Sequence, residues 1–196
     1  MLLLSKTNIQ SFLSLIFFLL MGTSCKQEID KQTYFKWMTN KESGLYQQVN
    51  LGSYFYEVQY KPAITDSILM NEVPILMNEK LFLDSSQQYL IKISAKIKGK
   101  TLITDTLKGQ SYQQRLDYFN YQFAKDIVLV QDNKTYKPAI FHAEQMSTIT
   151  GSSTFIVVFD VVLPKIASRY LKIYSPNYLG KDTVKVKFNP LLVPKL

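Results

Sequence analysis

The sequence predicts a mainly β protein, an antiparallel β-sandwich of immunoglobulin-like character with one or two accessory short helices. Three observations predict it. From residue 45 onward, apolar residues recur at period two. Tyr89, Ile91, Ile93, Ala95 and Ile97 alternate with Leu90, Lys92, Ser94, Lys96 and Lys98, so one face reads as core and the other as wet. The alternating stretches are short, roughly eight or nine of them, punctuated by Gly, Pro, Asn and Asp, with none of the long helices that parallel strands need as crossovers. Finally, 46% of the residues are hydrophobic and 13% aromatic, enough to fill a core that a single cysteine cannot staple with an intramolecular disulfide.

Tyr34, Trp37 and Met38 fall at helical spacing behind Asp30 or Thr33 as a cap, and Gly44 ends the unit, which predicts a short helix laid on the domain. A strand over 45–49 turns at Asn50-Leu51-Gly52 into a second over 53–60, where Tyr54, Tyr56, Val58 and Tyr60 share the core face. Pro62 stops that pairing. Residues 64–82 read as a mixed helical connection, with Asp66-Ser67 able to cap a turn ahead of Pro74. The strand over 89–98 is expected to turn at Gly99-Lys100 into a hairpin with 101–106. Ser111 then caps a helix whose apolar positions are Tyr112, Leu116, Phe119 and Phe123.

Beyond it, 126–131 and 136–143 flank Asp132-Asn133-Lys134 as a hairpin, with Pro138 placing the second strand at an edge. The stretch 154–163 is apolar on both faces and predicts a central strand interrupted only by Asp160, which a bulge or a strand end near solvent accommodates. Two amphipathic strands, 169–175 and 181–189, close the chain.

Ahead of the domain, Lys6 precedes the apolar run 12–21 and then Gly22-Thr23-Ser24-Cys25. The run is too short to span hydrocarbon, for which roughly 20 apolar residues are needed. Its order of cation, apolar run, small residues and cysteine resembles the lipobox signal of bacterial lipoproteins, with Gly22 where that family usually has Leu. The resemblance implies a signal peptide over 1–24, lipidation of Cys25 as the first mature residue, a tether over 25–32, and a single sandwich domain over 33–196. Gly22-x-Ser24 also suits a general signal peptidase, which would leave Cys25 unmodified. The residues that follow, Lys26-Gln27-Glu28-Ile29-Asp30, resemble the tags of surface-exposed lipoproteins of Bacteroidota. A solvated linker has the same composition.

Chemistry-bearing constellations are few. His142 is the only histidine, so multi-histidine metal sites are excluded, and it reads as a strand-face residue. There is no phosphate loop, nucleophile elbow or zinc motif. No catalytic residue, metal or cofactor is assigned. Removing residues 1–24 leaves 22 basic and 15 acidic residues, a balance of +7 that favours anionic surroundings. Nucleic acid is not expected, since an exported chain rarely meets it and no recognition motif appears. Lys92, Lys96 and Lys98 on one strand and Lys185 and Lys187 on another would form a basic surface if the two strands share a sheet. Such lysines also serve simply to keep sheets soluble.

Taken together, the Cys25 signal, the 44–62 block, the 112–118 helix and the 155–160 strand resemble envelope lipoproteins of the Bacteroidota. That resemblance implies an outer-membrane lipoprotein of the bacterial cell envelope, facing the periplasm or the surface, and a sandwich fold. The expected role is non-enzymatic: an anchored module contacting another envelope protein. The alternative is a binding module for acidic glycan or an anionic envelope surface, and a hydrolase is third.

Overall fold

The computed structural model describes residues 30–62, 65, 85–105, 109–144, 151–162, 168–175 and 177–189. Among them the alternating stretches form nine strands: β1 (Tyr46–Leu51), β2 (Tyr54–Lys61), β3 (Gln87–Ala95), β4 (Ile127–Gln131), β5 (Lys134–Tyr136), β6 (Ile140–Ala143), β7 (Ser152–Phe159), β8 (Arg169–Ile173) and β9 (Val184–Phe188). All neighbours are antiparallel. A five-stranded sheet has the order β1-β2-β3-β7-β6, and a four-stranded sheet has the order β5-β4-β8-β9. The helices are α1 (Lys31–Thr39), capped by the Asp30 carboxylate, and α2 (Tyr112–Asp117), opened by a capping box of Ser111 and Gln114.

The period-two pattern makes the core. Tyr54, Tyr56, Val58 and Tyr60 of β2, Tyr89, Ile91 and Ile93 of β3, and Phe155, Val157 and Phe159 of β7 are buried, as are Leu129, Leu171, Val186 and Phe188 of the other sheet. Each such side chain contributes about 1.5–3 kcal/mol when fully buried. The two sheets meet through rings: Tyr89 lies 5.2 Å from Phe188 at one end, near the close of β2. At the other end Phe119 and Phe123, from the turns that follow α2, pack on Phe155 at 6.1 and 4.9 Å.

A buried arginine marks each end. Near the close of β2, Arg169 sits 4.7 Å from the Tyr60 ring and 5.4 Å from the Phe188 ring, donating from Nε to the Tyr89 hydroxyl at 2.7 Å. Its Nη1 reaches the Asn189 carbonyl at 3.2 Å, while Nη2 has no hydrogen-bond partner among the described residues. At the opposite end Arg115 is equally buried, and each of its three nitrogens donates a hydrogen bond.

Several expectations are corrected. The hairpin over 101–106 does not form: β3 ends at Ala95, and Ile97, read as core, is 55% exposed. The Thr101 and Thr104 hydroxyls accept from the backbone of 101–104, so that segment folds on itself and buries Leu102 and Ile103. The strand expected over 136–143 is divided at Lys137–Ala139, with β5 in one sheet and β6 in the other, because Pro138 has no N–H for a ladder. Tyr112 faces solvent and Arg115 turns inward. Asp160 lies just past the end of β7, exposed. The helical connection over 64–82 lies, apart from Thr65, outside the described residues, as do the signal segment 1–24 and Cys25.

On the outer face of the five-stranded sheet, Lys92 Nζ lies 3.2 Å from the Glu57 carboxylate, which also accepts from the Tyr46 hydroxyl. Burial tends to raise the Glu57 pKa. The hydrogen bonds from Tyr46 and Lys92 outweigh it and hold the group below its usual 4.5. A carboxylate depressed in the folded state contributes stability above its unfolded pKa and loses it as pH falls through the folded one. Unfolding midpoints should therefore drop as pH is lowered below about 4.5, and Glu57→Gln should remove a part of that drop worth at most about 1 kcal/mol. Denaturation of both proteins from pH 6 to 3 checks it; parallel curves would rule it out.

Candidate functional site

The sequence-selected lysines divide between two sheets. Lys92 points outward from β3 of the five-stranded sheet and is paired with Glu57. Lys96, past the end of β3, donates to the Gly52 carbonyl at 2.9 Å, and Lys98 is exposed in the following turn. Lys185 and Lys187 lie on β9, at the edge of the four-stranded sheet, where they alternate with buried Val184, Val186 and Phe188. The condition for one shared basic surface, both strands in one sheet, is not met.

What the fold does assemble is a different set around Lys185. The β8–β9 register sets Lys172 directly opposite Lys185, and the turn leading into β4 adds Lys125. These three lysines, with Asp126, Val128, Tyr174 and Thr183, line an open cavity of about 540 Å³. Lys185 Nζ also lies 4.2 Å from the centroid of the Tyr170 ring. Like charges directly opposite each other on neighbouring strands are destabilising. Among the described residues, no carboxylate forms an ion pair with Lys125, Lys172 or Lys185, so the contact of Lys185 with the Tyr170 ring and the more distant Asp126 offset that cost only in part.

A second cavity of about 380 Å³ shares Lys125, Asp126 and Tyr174 with the first and continues to Gln122, Ser175, Asn177 and Tyr178. Its floor is fixed. Tyr118 stacks on Tyr178 with ring centroids 3.6 Å apart and planes within 4°. The Tyr118 hydroxyl donates to the Asp126 carboxylate and meets Ser175 Oγ. Burial first, then the hydrogen bond to Asp126, push that hydroxyl far above the ordinary tyrosine pKa of 10, so it stays protonated and keeps donating. Tyr174 is anchored through its backbone, whose N–H bonds the Asp126 carbonyl at 2.9 Å, and its side chain is 49% exposed between the two cavities.

The alternation of Tyr170, Lys172 and Tyr174 with buried Leu171 and Ile173 was a signal available in the sequence. That it meets Lys185 and Lys125 depends on pairing, which no local pattern reveals. His142 stands exposed on edge strand β6, in the other sheet. Among the described residues, no three His, Cys, Asp or Glu side chains gather as a metal site, and no helix is long and apolar enough to cross a membrane. Compared with protein-family models, with the curated proteins and with the solved structures, the chain matches none.

Proposed function

We propose that the chain is a lipid-anchored envelope protein, held by Cys25, whose immunoglobulin-like sandwich binds an anionic polymer on the outer face of the four-stranded sheet. The observation that carries the binding reading is the pair Lys172–Lys185, set opposite each other in a cavity of about 540 Å³ with neither lysine in an ion pair among the described residues. With Lys125 they outnumber the one carboxylate there, Asp126, and a bound anion would offset the cost of holding like charges together. The cavity falls within the range of small-ligand sites, about 300–1,000 Å³. A protein partner is less favoured, because a docking core needs contiguous apolar surface. Among the described residues the large exposed apolar side chains, Ile97, Tyr112, Tyr121, Ile140, Val162 and Tyr174, are spread along the chain from the turn after β3 to the end of β8.

Connectivity supports the immunoglobulin-like assignment. Strands β2-β3-β7-β6 follow the A-B-E-D order of that fold, and β4-β8-β9 follow C-F-G, with β5 beside β4 and β1 as an added edge strand. The chain crosses between sheets at β3–β4, β5–β6 and β7–β8, as the Greek-key order requires.

Two variants test the proposal. Lys172→Gln with Lys185→Gln should elute earlier from a polygalacturonate column, with affinity lowered about tenfold, or about 1.4 kcal/mol, and a shallower dependence on salt. Its stability should hold or rise by about 0.2–1 kcal/mol as the repulsion is relieved. Cys25→Ser should move the protein from the membrane to the soluble fraction. Unchanged elution of the double variant would refute the binding site, and continued detergent-dependent extraction of Cys25→Ser would refute the anchor.

A further inference from the structure

We infer that the polymer is an acidic polysaccharide, bound with a carboxylate over Lys172 and Lys185 and with the hydroxyls of the adjoining sugar in the second cavity; this rests on the anion-binding reading above. The two cavities share Lys125, Asp126 and Tyr174 but differ in chemistry. The first adds two cations, Lys172 and Lys185, to the shared Lys125 and Asp126. The second adds no further cation but the side chains of Gln122 and Asn177, a set of amides that both donates and accepts.

A bare carboxylate, phosphate or sulfate has only acceptor oxygens, and in the second cavity it would meet the shared Asp126 carboxylate without Lys172 and Lys185, the two cations that outnumber that carboxylate in the first. A sugar hydroxyl donates and accepts at once, and satisfies that set. The Tyr118 hydroxyl holds part of the Asp126 carboxylate, while each carboxylate keeps about four lone-pair positions, enough for a second donor. Tyr174 lines both cavities, and its half-exposed ring supplies the apolar surface on which the C–H face of a sugar packs.

The attachment of the chain agrees with a ligand other than the anchoring bilayer. Helix α1, the first described element, is tied near the close of β2, where Gln59 Nε2 donates to the Met38 carbonyl at 3.4 Å and the Tyr34 and Thr65 hydroxyls lie 3.0 Å apart. The groove opens at the other end of the sandwich, where β4 and β9 begin and β8 ends.

The test uses the chain from residue 25 onward carrying Cys25→Ser, so that vesicle binding does not report the lipid. Affinities are measured by titration for polygalacturonate, for polyglutamate as an anionic polymer without hydroxyls, and for phosphatidylglycerol vesicles. Native side chains should favour polygalacturonate. Gln122→Ala with Asn177→Ala should weaken it about fivefold while leaving polyglutamate unchanged, and Lys172→Gln with Lys185→Gln should weaken both polymers. Equal polygalacturonate affinity in the amide variant, or tighter native binding to polyglutamate or to vesicles, overturns the polysaccharide assignment alone. Indifference of both polymers to the lysine change, or no binding by the native groove, overturns the anion-binding reading as well.

Discussion

Ile93→Asp is expected to abolish the cooperative unfolding transition. Ile93 is fully buried two residues before the end of β3, between β2 and β7, with Tyr56 on one side in register and Ser153 on the other. An aspartate there forfeits roughly 2–3 kcal/mol of apolar burial and adds a desolvation penalty of several kcal/mol for an unpaired carboxylate. A single domain has about 5–15 kcal/mol of stability to lose. Ile93→Ala, which leaves only a cavity, should cost about 2–5 kcal/mol and still unfold cooperatively. Lys92→Gln, one residue away on the opposite face, loses only the Glu57 ion pair and should cost less than about 1 kcal/mol. Glutamine is the informative replacement, because Glu57 stands directly opposite and an aspartate would face it as a like charge. Denaturant titrations followed by circular dichroism separate the three. Equal effects of the two aliphatic-to-smaller or charged changes at Ile93 and of Lys92→Gln would contradict the assigned face.

Position 93 was legible in the sequence because a strand's side chains alternate whatever the strand pairs with. The same rule identified the core tyrosines Tyr54, Tyr56, Tyr60 and Tyr89. Turn chemistry identified Asp132-Asn133-Lys134, of which Asp132 and Asn133 adopt positive φ, at 52° and 60°, while Lys134 already opens β5. The alternation rule failed wherever a decision was non-local. Lys92 and Lys185 obey one local pattern, yet the sheet that receives each depends on partners far along the chain. The groove was hidden for the same reason: Lys125, Lys172 and Lys185 come from three elements, and the register that sets Lys172 against Lys185 is a property of the fold.

Two local failures have local causes. Gly99 does turn the chain, with φ at +78°, but the Thr101 and Thr104 hydroxyls capture the backbone that a second hairpin strand would have offered. Pro138 does mark an edge, since β5 and β6 are both edge strands, but it ends one strand and lets the next begin in the other sheet instead of lying within one strand over 136–143.

An arginine in a short helix is ordinarily solvated, whereas Arg115 is fully buried, and its removal carries the second large expected effect. The side-chain Nε donates to the Leu102 carbonyl at 2.6 Å. Nη1 reaches Gln110 Oε1 at 2.9 Å, and Nη2 reaches the Tyr54 hydroxyl at 3.2 Å and the Tyr178 carbonyl at 3.1 Å. Tyr54 in turn donates to the buried Asp105 carboxylate at 2.8 Å. The guanidinium also lies 5.5 and 5.8 Å from the Phe119 and Tyr178 rings.

Arg115→Ala would leave two carbonyls without donors and Asp105 without a nearby cation, for an expected loss of about 3–5 kcal/mol. Arg115→Lys should recover little of it, because one ammonium cannot span a fork directed at Leu102, Gln110, Tyr54 and Tyr178 at once. Tyr54→Phe should cost about 1–3 kcal/mol by stranding Asp105, and less than that in an Arg115→Ala background if the two act as one network. Additive losses would show that they act separately, and an unchanged denaturation midpoint for Arg115→Ala would show that the guanidinium holds nothing. Because the same arginine ties α2 and the Tyr178 turn to β2, any folded Arg115 variant should also bind polygalacturonate more weakly. The cavity wall at Asn177 and Tyr178 would have lost the bond that positions it.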